Sequence, residues 1–405
     1  MSSVKRREFI TLVGGAAAWP FAARAEKYGP GASDTEIKIG NIMPYSGPAS
    51  VWSVLGKTEA AYFNKINAEG GVNGRKIRFI SYDDGYSPPK TVEQARKLVE
   101  SDEVLLIFNS LGTATNTAIH KYMNAKRVPH LFLATNATKW NDPKNFPWTM
   151  GWAPSYQAEG QLYARYLLAN QANGRIGILH QNDDYGKDYV KGLRDGLAGR
   201  IPIVAEAPYE VTDTTIDSQI VSLRAAGADI FYNVTAPKFA SQAIRKVAEL
   251  NWKPLHILNG ISGIISSVLK PAGLENSKGI LSATIIKDQT DPIWHQDADY
   301  KEWAAFMDKY YPEGDRGHTQ TVTGYLVAQT LVEVLRRCGH DLTRENVMRQ
   351  ATSLKDLHLG MLLPGITINT SPTDYAPIKQ MQMRRFDGEH WDLFGPLLEA
   401  VPGGT

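Results

Sequence analysis

Short apolar runs of strand length alternate with longer stretches of helical period, and this alternation constrains the fold more than any other feature of the chain. The runs begin near Ile37, Lys76, Val104 and Pro129, pause over residues 148–153, and resume near Arg175, Ile201, Asp229, Leu255 and Ile280. Between them Val92, Ala95 and Val99 fall on one face of a helix, as do Ala158, Leu162 and Tyr166, and Ala240, Ile244 and Val247. A strand every ~25–40 residues with helix between is the spacing of a repeated βαβ unit. The two series predict an α/β fold of two doubly wound parallel-sheet lobes with helices on both faces of each sheet. A chain of 405 residues is long enough for two such cores. Residues 142–148, rich in Pro, Asn and Asp, read as the first connection. After Ile286 the pattern changes to long helices near 297–311 and 319–338, a short helix near 344–352, and β-like runs at 366–369 and 378–386. So late a switch suits a chain that crosses between lobes more than once.

The first 25 residues read as an export signal and not as fold. Lys5-Arg6-Arg7 precedes an apolar run over 12–18, and Ala23-Arg24-Ala25 has the small-x-small pattern of a cleavage site. The paired arginines before Phe9 resemble a twin-arginine signal. The run is shorter than the ~20 residues a membrane span needs. Cleavage is expected after Ala25. Cys338, the single cysteine, is nowhere near that site, so the expected product is a free periplasmic chain and not a lipid-anchored one. One cysteine also excludes an internal disulfide framework and a cysteine-based zinc site. The formal charge is +2, and −1 once residues 1–25 are removed, so nothing favours nucleic acid or an anionic membrane as partner. We expect no cofactor and no metal.

In doubly wound sheets ligands sit beyond the carboxyl ends of the strands. The loops there, 43–52, 83–87, 109–115, 134–140, 182–186, 235–238 and 260–263, carry many Gly, Ser, Thr and Asn residues. Such loops offer backbone N–H groups at helix N-termini, a setting that favours carboxylates. Trp52 and Tyr185 could each stack on a ligand or simply anchor their own loops, and Gly112-Thr113 could bind an anion or only begin a helix. Asp83-Asp84 and Asp183-Asp184 read as helix caps or hinge braces, because adjacent acids rarely chelate one ion. Asp297 and Asp299 read as the solvated start of a helix. Gly260-Ile261-Ser262-Gly263 is not a nucleophile elbow, since Ile264 stands where the second glycine belongs. Cys338 reads as a small buried apolar residue.

Three segments carry a resemblance. Met43-Pro44-Tyr45-Ser46-Gly47-Pro48, then Ile66-Asn67-Ala68-Glu69-Gly70-Gly71-Val72-Asn73-Gly74-Arg75-Lys76-Ile77, then Tyr82-Asp83-Asp84 resemble the start of periplasmic leucine/isoleucine/valine-binding proteins. Asn182-Asp183-Asp184-Tyr185-Gly186 and residues 223–232 are similar to that family's second lobe. The likeness covers essentially the whole chain after the signal. It implies a type I solute-binding protein of an ABC importer: a non-enzymatic monomer whose lobes close on a small-molecule ligand and present it to an inner-membrane permease. It also implies three crossovers, with one lobe over 35–152 plus 284–364 and the other over 153–283 plus 365–405. By position it puts Trp52 over the ligand, and Gly112 and Thr113 in the loop that takes the ligand carboxylate. Thr135, Asn136 and Ala137 fall in the second part of that clamp, and Tyr185 where the opposite lobe closes. Thr235 and Ser262 fall in the other second-lobe loops.

Two departures bear on the ligand. Residues 134–138 lack the Ser/Thr-Pro loop of the amino-acid binders. Ser262 stands where those binders place the acid that neutralises an α-ammonium, and a hydroxyl supplies only one neutral hydrogen bond there. The expected ligand is therefore a carboxylate without an α-amino group, aromatic or short aliphatic, unless an acid reaches in from another loop. A sensor of the same fold and an exported hydrolase are the competing classes. No nucleophile–base or metal motif supports the hydrolase.

Overall fold

A computed structural model describes residues 27–399. The expected signal over 1–25 and its cleavage after Ala25 lie outside the described residues. The strands are β1 (Lys27–Tyr28), β2 (Glu36–Met43), β3 (Lys76–Asp83), β4 (Leu106–Phe108), β5 (His130–Leu131), β6 (Ile176–Gln181), β7 (Ile203–Tyr209), β8 (Ile230–Val234), β9 (Leu255–Leu258), β10 (Leu281–Thr284), β11 (Asp341–Leu342), β12 (Gln380–Phe386) and β13 (Trp391–Glu399). The helices are α1 (Ser53–Ala68), α2 (Pro88–Arg96), α3 (Thr113–Ala125), α4 (Tyr156–Asn170), α5 (Asp184–Leu197), α6 (Asp217–Ala225), α7 (Pro237–Glu249), the short α8 (Lys270–Ala272) and α9 (Leu274–Ser277), then α10 (Ala298–Tyr310), α11 (Gln320–Cys338) and α12 (Arg344–Ala351).

The first sheet has the order β3-β2-β4-β5 and is parallel throughout. The second has the order β13-β12-β10-β9-β8-β6-β7. It is parallel from β7 to β10, and β12 and β13 extend it antiparallel. In both sheets the first strand of the series lies between the second and the third. Succession along the chain therefore reverses direction beside β2 and beside β6, and the crevice at such a switch point is where ligands bind.

Local chemistry explains the helix starts. Asp183 caps α5 by accepting from the Tyr185 and Gly186 amides at 3.0 and 3.2 Å. Ser155 caps α4 through Ala158 N, and Pro88 and Pro237 open α2 and α7, where a missing N–H costs nothing. The interior strand β6, IGILHQ, is buried along its whole length, as expected with helices on both faces. Helix α7 turns Phe239, Ala240, Ala243, Ile244 and Val247 inward.

Helices α10, α11 and α12 pack with α1 and the first sheet, although they follow the second series of strands. The chain thus passes between the sheets after β5, after β10 and after α12. The last passage comes later than expected. Ile366, Ile368, Tyr375 and Ile378 are buried in the first core, so the boundary at 364/365 falls ahead of it. Residues 366–369 do not form a strand of a sheet; Ile368 makes only an isolated bridge to Leu357. Strand β13 was not anticipated from sequence, because Gly395 and Pro396 interrupt its alternation. It lies at the sheet edge, where proline is tolerated.

The paired acids are structural. Asp83 accepts from Ser46 N and Oγ at 3.1 and 2.6 Å, and Asp84 accepts from Thr91 Oγ1 at 2.7 Å. Asp297 caps α10 and, with Asp299, holds the buried Lys287 Nζ at 2.9 and 3.1 Å, a larger role than a solvated helix start. Cys338 is buried and unpaired by any disulfide, with its thiol pushed up to about 12 by burial. Among the described residues no helix is long and apolar enough to cross a membrane.

Candidate functional site

A cavity of about 160 Å³ lies between the two sheets at the carboxyl ends of their strands. The first sheet contributes Trp52 and Leu55 after β2, Tyr86 after β3, Asn109, Leu111, Gly112 and Thr113 after β4, and Thr135 and Asn136 after β5. The second contributes Gln181 at the end of β6, Tyr185 beyond it, Gly260 and Ile261 after β9, and Met381 and Arg384 from β12. Trp152 to Pro154, Ile285 and Ile286 line it from the crossing segments, and Thr319, Gln320 and Thr323 from the start of α11. Beside it the lobes touch: Thr138 N and Oγ1 donate to Asp188 Oδ2 at 2.8 and 2.9 Å, and Lys139 Nζ lies 2.6 Å from Asp184 Oδ2.

Of the residues singled out from sequence, Trp52, Gly112, Thr113, Thr135, Asn136 and Tyr185 line this cavity. Ala137, Thr235 and Ser262 do not. Ala137 faces a small side pocket with Thr138 and Trp140. Thr235 and Ser262 are fully buried and tie two loops together: Ser262 Oγ donates to Thr235 O at 2.5 Å, and Thr235 Oγ1 to Asn233 Oδ1 at 2.6 Å. Asn259 is the cause. Its side chain caps the turn at Gly260–Ser262 through Ser262 N, which folds Ser262 inward and leaves Gly260 and Ile261 facing the cavity.

Helix N-termini converge here. α1 begins behind Trp52, α3 behind Gly112 and α11 behind Thr319. The first two amides of α11 are taken by His318, Gln320 N by its Nδ1 at 3.3 Å and Thr321 N by its carbonyl at 3.0 Å, and α1 continues a turn whose Ser50 O takes the Ser53 amide. α3 starts with no side-chain cap, so its first-turn N–H groups have no acceptor within the helix, and the aligned peptide dipoles add about half a positive charge at each helix start. Thr113 Oγ1 and Thr135 Oγ1 are 2.6 Å apart, joining the two loops of the first lobe, and Tyr156 OH donates to Thr135 Oγ1 at 3.4 Å. Burial pushes the Tyr156 hydroxyl up to about 12 and the Tyr185 hydroxyl well above the usual range, so both stay protonated donors.

Two charged side chains at the cavity escaped the sequence reading. Glu159, in the first turn of α4, is 2 % exposed. Its Oε1 accepts from Gly260 N at 2.6 Å and Tyr163 OH at 2.7 Å, and its Oε2 from Tyr189 OH at 2.7 Å. Burial raises its pKa, against those hydrogen bonds. Arg384, on β12, is also 2 % exposed. Its guanidinium lies over the Trp391 ring at 4.3 Å, and Nη2 makes long contacts to Gly260 O and Gly263 O at 3.4 and 3.3 Å. Burial lowers its pKa. Arg384, Tyr185 and Asn109 line the cavity, and Arg384 Nε and Nη1, Tyr185 OH and Asn109 Oδ1 are buried without a hydrogen-bond partner. Neither segment sets its charge apart: α4 also carries Gln157, Gln161 and Arg165, and β12 carries Gln380, Gln382 and Arg385. Among the described residues no group of three or more His, Cys, Asp or Glu side chains is placed to hold a metal ion.

Two α/β lobes, three chain passages between them and a cleft lined by strand-end loops from both sides define a two-lobed ligand-binding protein. Residues 36–390 match the family described as periplasmic binding protein, and the chain belongs to that family. A leucine-specific-binding protein of Salmonella typhimurium is 26% identical over 204 residues, 50% of this chain; the chain spans about half of that relative's length, 55%. Among solved structures, a branched chain amino acid ABC transporter protein from Thermus thermophilus with bound valine superposes with a TM-score of 0.82 at 16% identity, covering 91% of this chain and 97% of that one. A fatty acid ABC transporter substrate-binding protein from Thermomonospora curvata superposes with a TM-score of 0.76 at 21% identity, covering 92% and 95%. These likenesses agree on the two-lobed fold.

Proposed function

We propose that this protein is the periplasmic solute-binding component of an ABC importer, a monomer that captures a small carboxylate between its lobes and delivers it to an inner-membrane permease. The observation that carries the ligand class is the uncapped start of α3 at Gly112 on the cavity, with the starts of α1 and α11 at the same cavity. The open first-turn N–H groups of α3 and the positive dipole ends together favour an anion. Trp52, Tyr86, Tyr156 and Tyr185 supply flat apolar surface for the rest of the molecule. The names of the similar proteins, leucine-specific, valine-bound and fatty acid, share a carboxylate as their ligands' common group.

The ligand we favour lacks an α-ammonium. Ser262 is turned away from the cavity, and Glu159 is already engaged by three donors, with burial raising its pKa against those hydrogen bonds. A carboxyl group whose two oxygens already accept three hydrogen bonds has little left to compensate a buried ammonium. The second reading is an amino acid with its ammonium against Glu159, and the presence of that carboxyl at the cavity wall is the observation in its favour. Export by the signal over 1–25, with cleavage after Ala25, completes the proposal.

Mass spectrometry of whatever co-purifies, followed by a thermal-shift panel of carboxylates, tests this reading. A ligand at 100 times its Kd stabilises by about 2.7 kcal/mol, readily seen as a raised melting temperature. A panel in which only uncharged or cationic compounds stabilise the protein contradicts it.

A further inference from the structure

We propose that Arg384 is a second anchor, so that the ligand is a compact dicarboxylate: one carboxylate on the first-lobe loops at Gly112-Thr113 and Thr135-Asn136, the other on Arg384. The inference rests on the carboxylate reading above and goes beyond it, since it specifies the opposite end of the ligand. A guanidinium carries five N–H donors, and three of them are on Nε and Nη1. Arg384 lines the cavity, and both of those nitrogens are buried with no hydrogen-bond partner. The nearest acid, Asp288, leaves Oδ2 at 3.6 Å from Nη1 without making a hydrogen bond, and Asp288 does not line the cavity. This cavity-lining guanidinium therefore has a counter-ion outside the cavity at 3.6 Å and keeps buried donors that no protein group completes.

Leaving buried donors of a charged group unmade is costly, so a site that contains them discriminates for the ligand that completes them. The rest of the wall holds Arg384 in place without using those donors. Trp391 stacks on the guanidinium, and the Trp391 Nε1 and Arg384 Nη2 both point to Gly263 O, at 3.1 and 3.3 Å. The side chain has no space to withdraw on the Gly263 side, because a Cβ built there would lie 2.3 Å from Nη2. Glu159 does not compete for the guanidinium: its oxygens take the Gly260 amide and the hydroxyls of Tyr163 and Tyr189. Arg384 lies on β12, after the third passage of the chain, and Gly112 precedes α3 of the first lobe. A molecule that engages both ends would tie the lobes to each other, and contacts made only when both lobes touch the ligand are what shift such a protein toward its closed form.

Calorimetry with two matched pairs, hexanoate against adipate and benzoate against terephthalate, tests this on the wild type and on Arg384→Met and Arg384→Lys. The diacid of at least one pair should bind the wild type about tenfold or more tighter than its monoacid. Arg384→Met should bring that ratio to about one, and Arg384→Lys should keep part of it. The wild-type ratio decides even if Arg384→Met does not fold. Equal or weaker binding of both diacids, with monoacids still bound, overturns the second anchor and leaves the carboxylate reading standing. So does an unchanged ratio in a folded Arg384→Met. Binding of leucine with none of the four acids overturns the carboxylate reading and the second anchor together, as does an absence of binding by all four.

Discussion

The ring of Tyr86 lies where a side chain on Gly112 would begin. A Cβ on Gly112 would be 2.5 Å from Tyr86 Cε2 and 2.5 Å from Thr115 Oγ1. Both residues have left-handed backbones, φ +102° at Gly112 and φ +61° at Tyr86, and both line the cavity. The open start of α3 and an aromatic wall of the cleft are therefore one packing unit. Gly112→Ala should destabilise the protein by about 1–3 kcal/mol through backbone strain and displacement of Tyr86. It should also lose most ligand affinity. Urea unfolding and a binding isotherm on the same variant check this; unchanged affinity would separate Tyr86 and α3 from the site.

The two aromatics chosen from sequence should behave differently. Trp52 is half-buried beside the cavity, so Trp52→Ala should weaken ligand binding by about 1–3 kcal/mol with little effect on stability. Tyr185 is not a loop residue but the second residue of α5, 4 % exposed and packed edge-on against Tyr156 and Tyr189 at 5.2 and 5.6 Å. Tyr185→Ala should cost stability as well, by about 3–5 kcal/mol, as other buried aromatic truncations do. Tyr185→Phe isolates the unpartnered hydroxyl: affinity should fall by about 1 kcal/mol if the ligand accepts from it, while the melting temperature holds. Loss of binding in none of the three would remove both residues from the site.

His256 offers a pH test of the second core. Its ring is 7 % exposed, packed on Phe231 at 4.6 Å, with Nε2 3.1 Å from Asn233 Nδ2, and burial lowers its pKa from 6.5 to about 3. The folded form holds it neutral, so its stabilising contribution is complete above pH ~6.5 and declines as the unfolded chain takes up the proton at lower pH. Each pH unit in that range costs about 1.4 kcal/mol. The stability advantage of wild type over His256→Gln should shrink by about 2 kcal/mol between pH 7 and pH 5. Urea titrations at the two pH values measure it; parallel changes in both proteins would show that His256 titrates normally.

Strand starts, long helices and the strand-end loops were legible in the sequence because each is a local pattern. Ile37, Lys76, Arg175 and Asp229 stand within a residue of β2, β3, β6 and β8, and reading just past such strands reached Trp52, Gly112, Thr113, Thr135, Asn136 and Tyr185 at the cavity. What the sequence did not display were outcomes decided by distant partners. Ser262 and Thr235 occupy the expected loops, but the Asn259 cap and their mutual hydrogen bond turn them into the lobe. Arg384 reaches the cleft only because the chain returns after α12 and adds β12 antiparallel to β10, placing Arg384 opposite Ser282. Ile366 to Ile378 look like part of that return, yet their side chains complete the first core. Glu159 was hidden because α4 buries it against tyrosines 163 and 189, a contact that spans two helices.

If this cleft binds a carboxylate without an α-ammonium, an amino acid and its 2-oxo analogue should differ sharply in affinity. Calorimetry on one ligand-free preparation, titrated in turn with leucine, its 2-oxo analogue 4-methyl-2-oxopentanoate and benzoate, tests it most directly. At least one of the two acids lacking an ammonium should bind, about tenfold or more tightly than leucine, because Ser262 is buried and Glu159 is engaged. Tight binding of leucine with no binding of the other two would contradict it and assign the ammonium to Glu159.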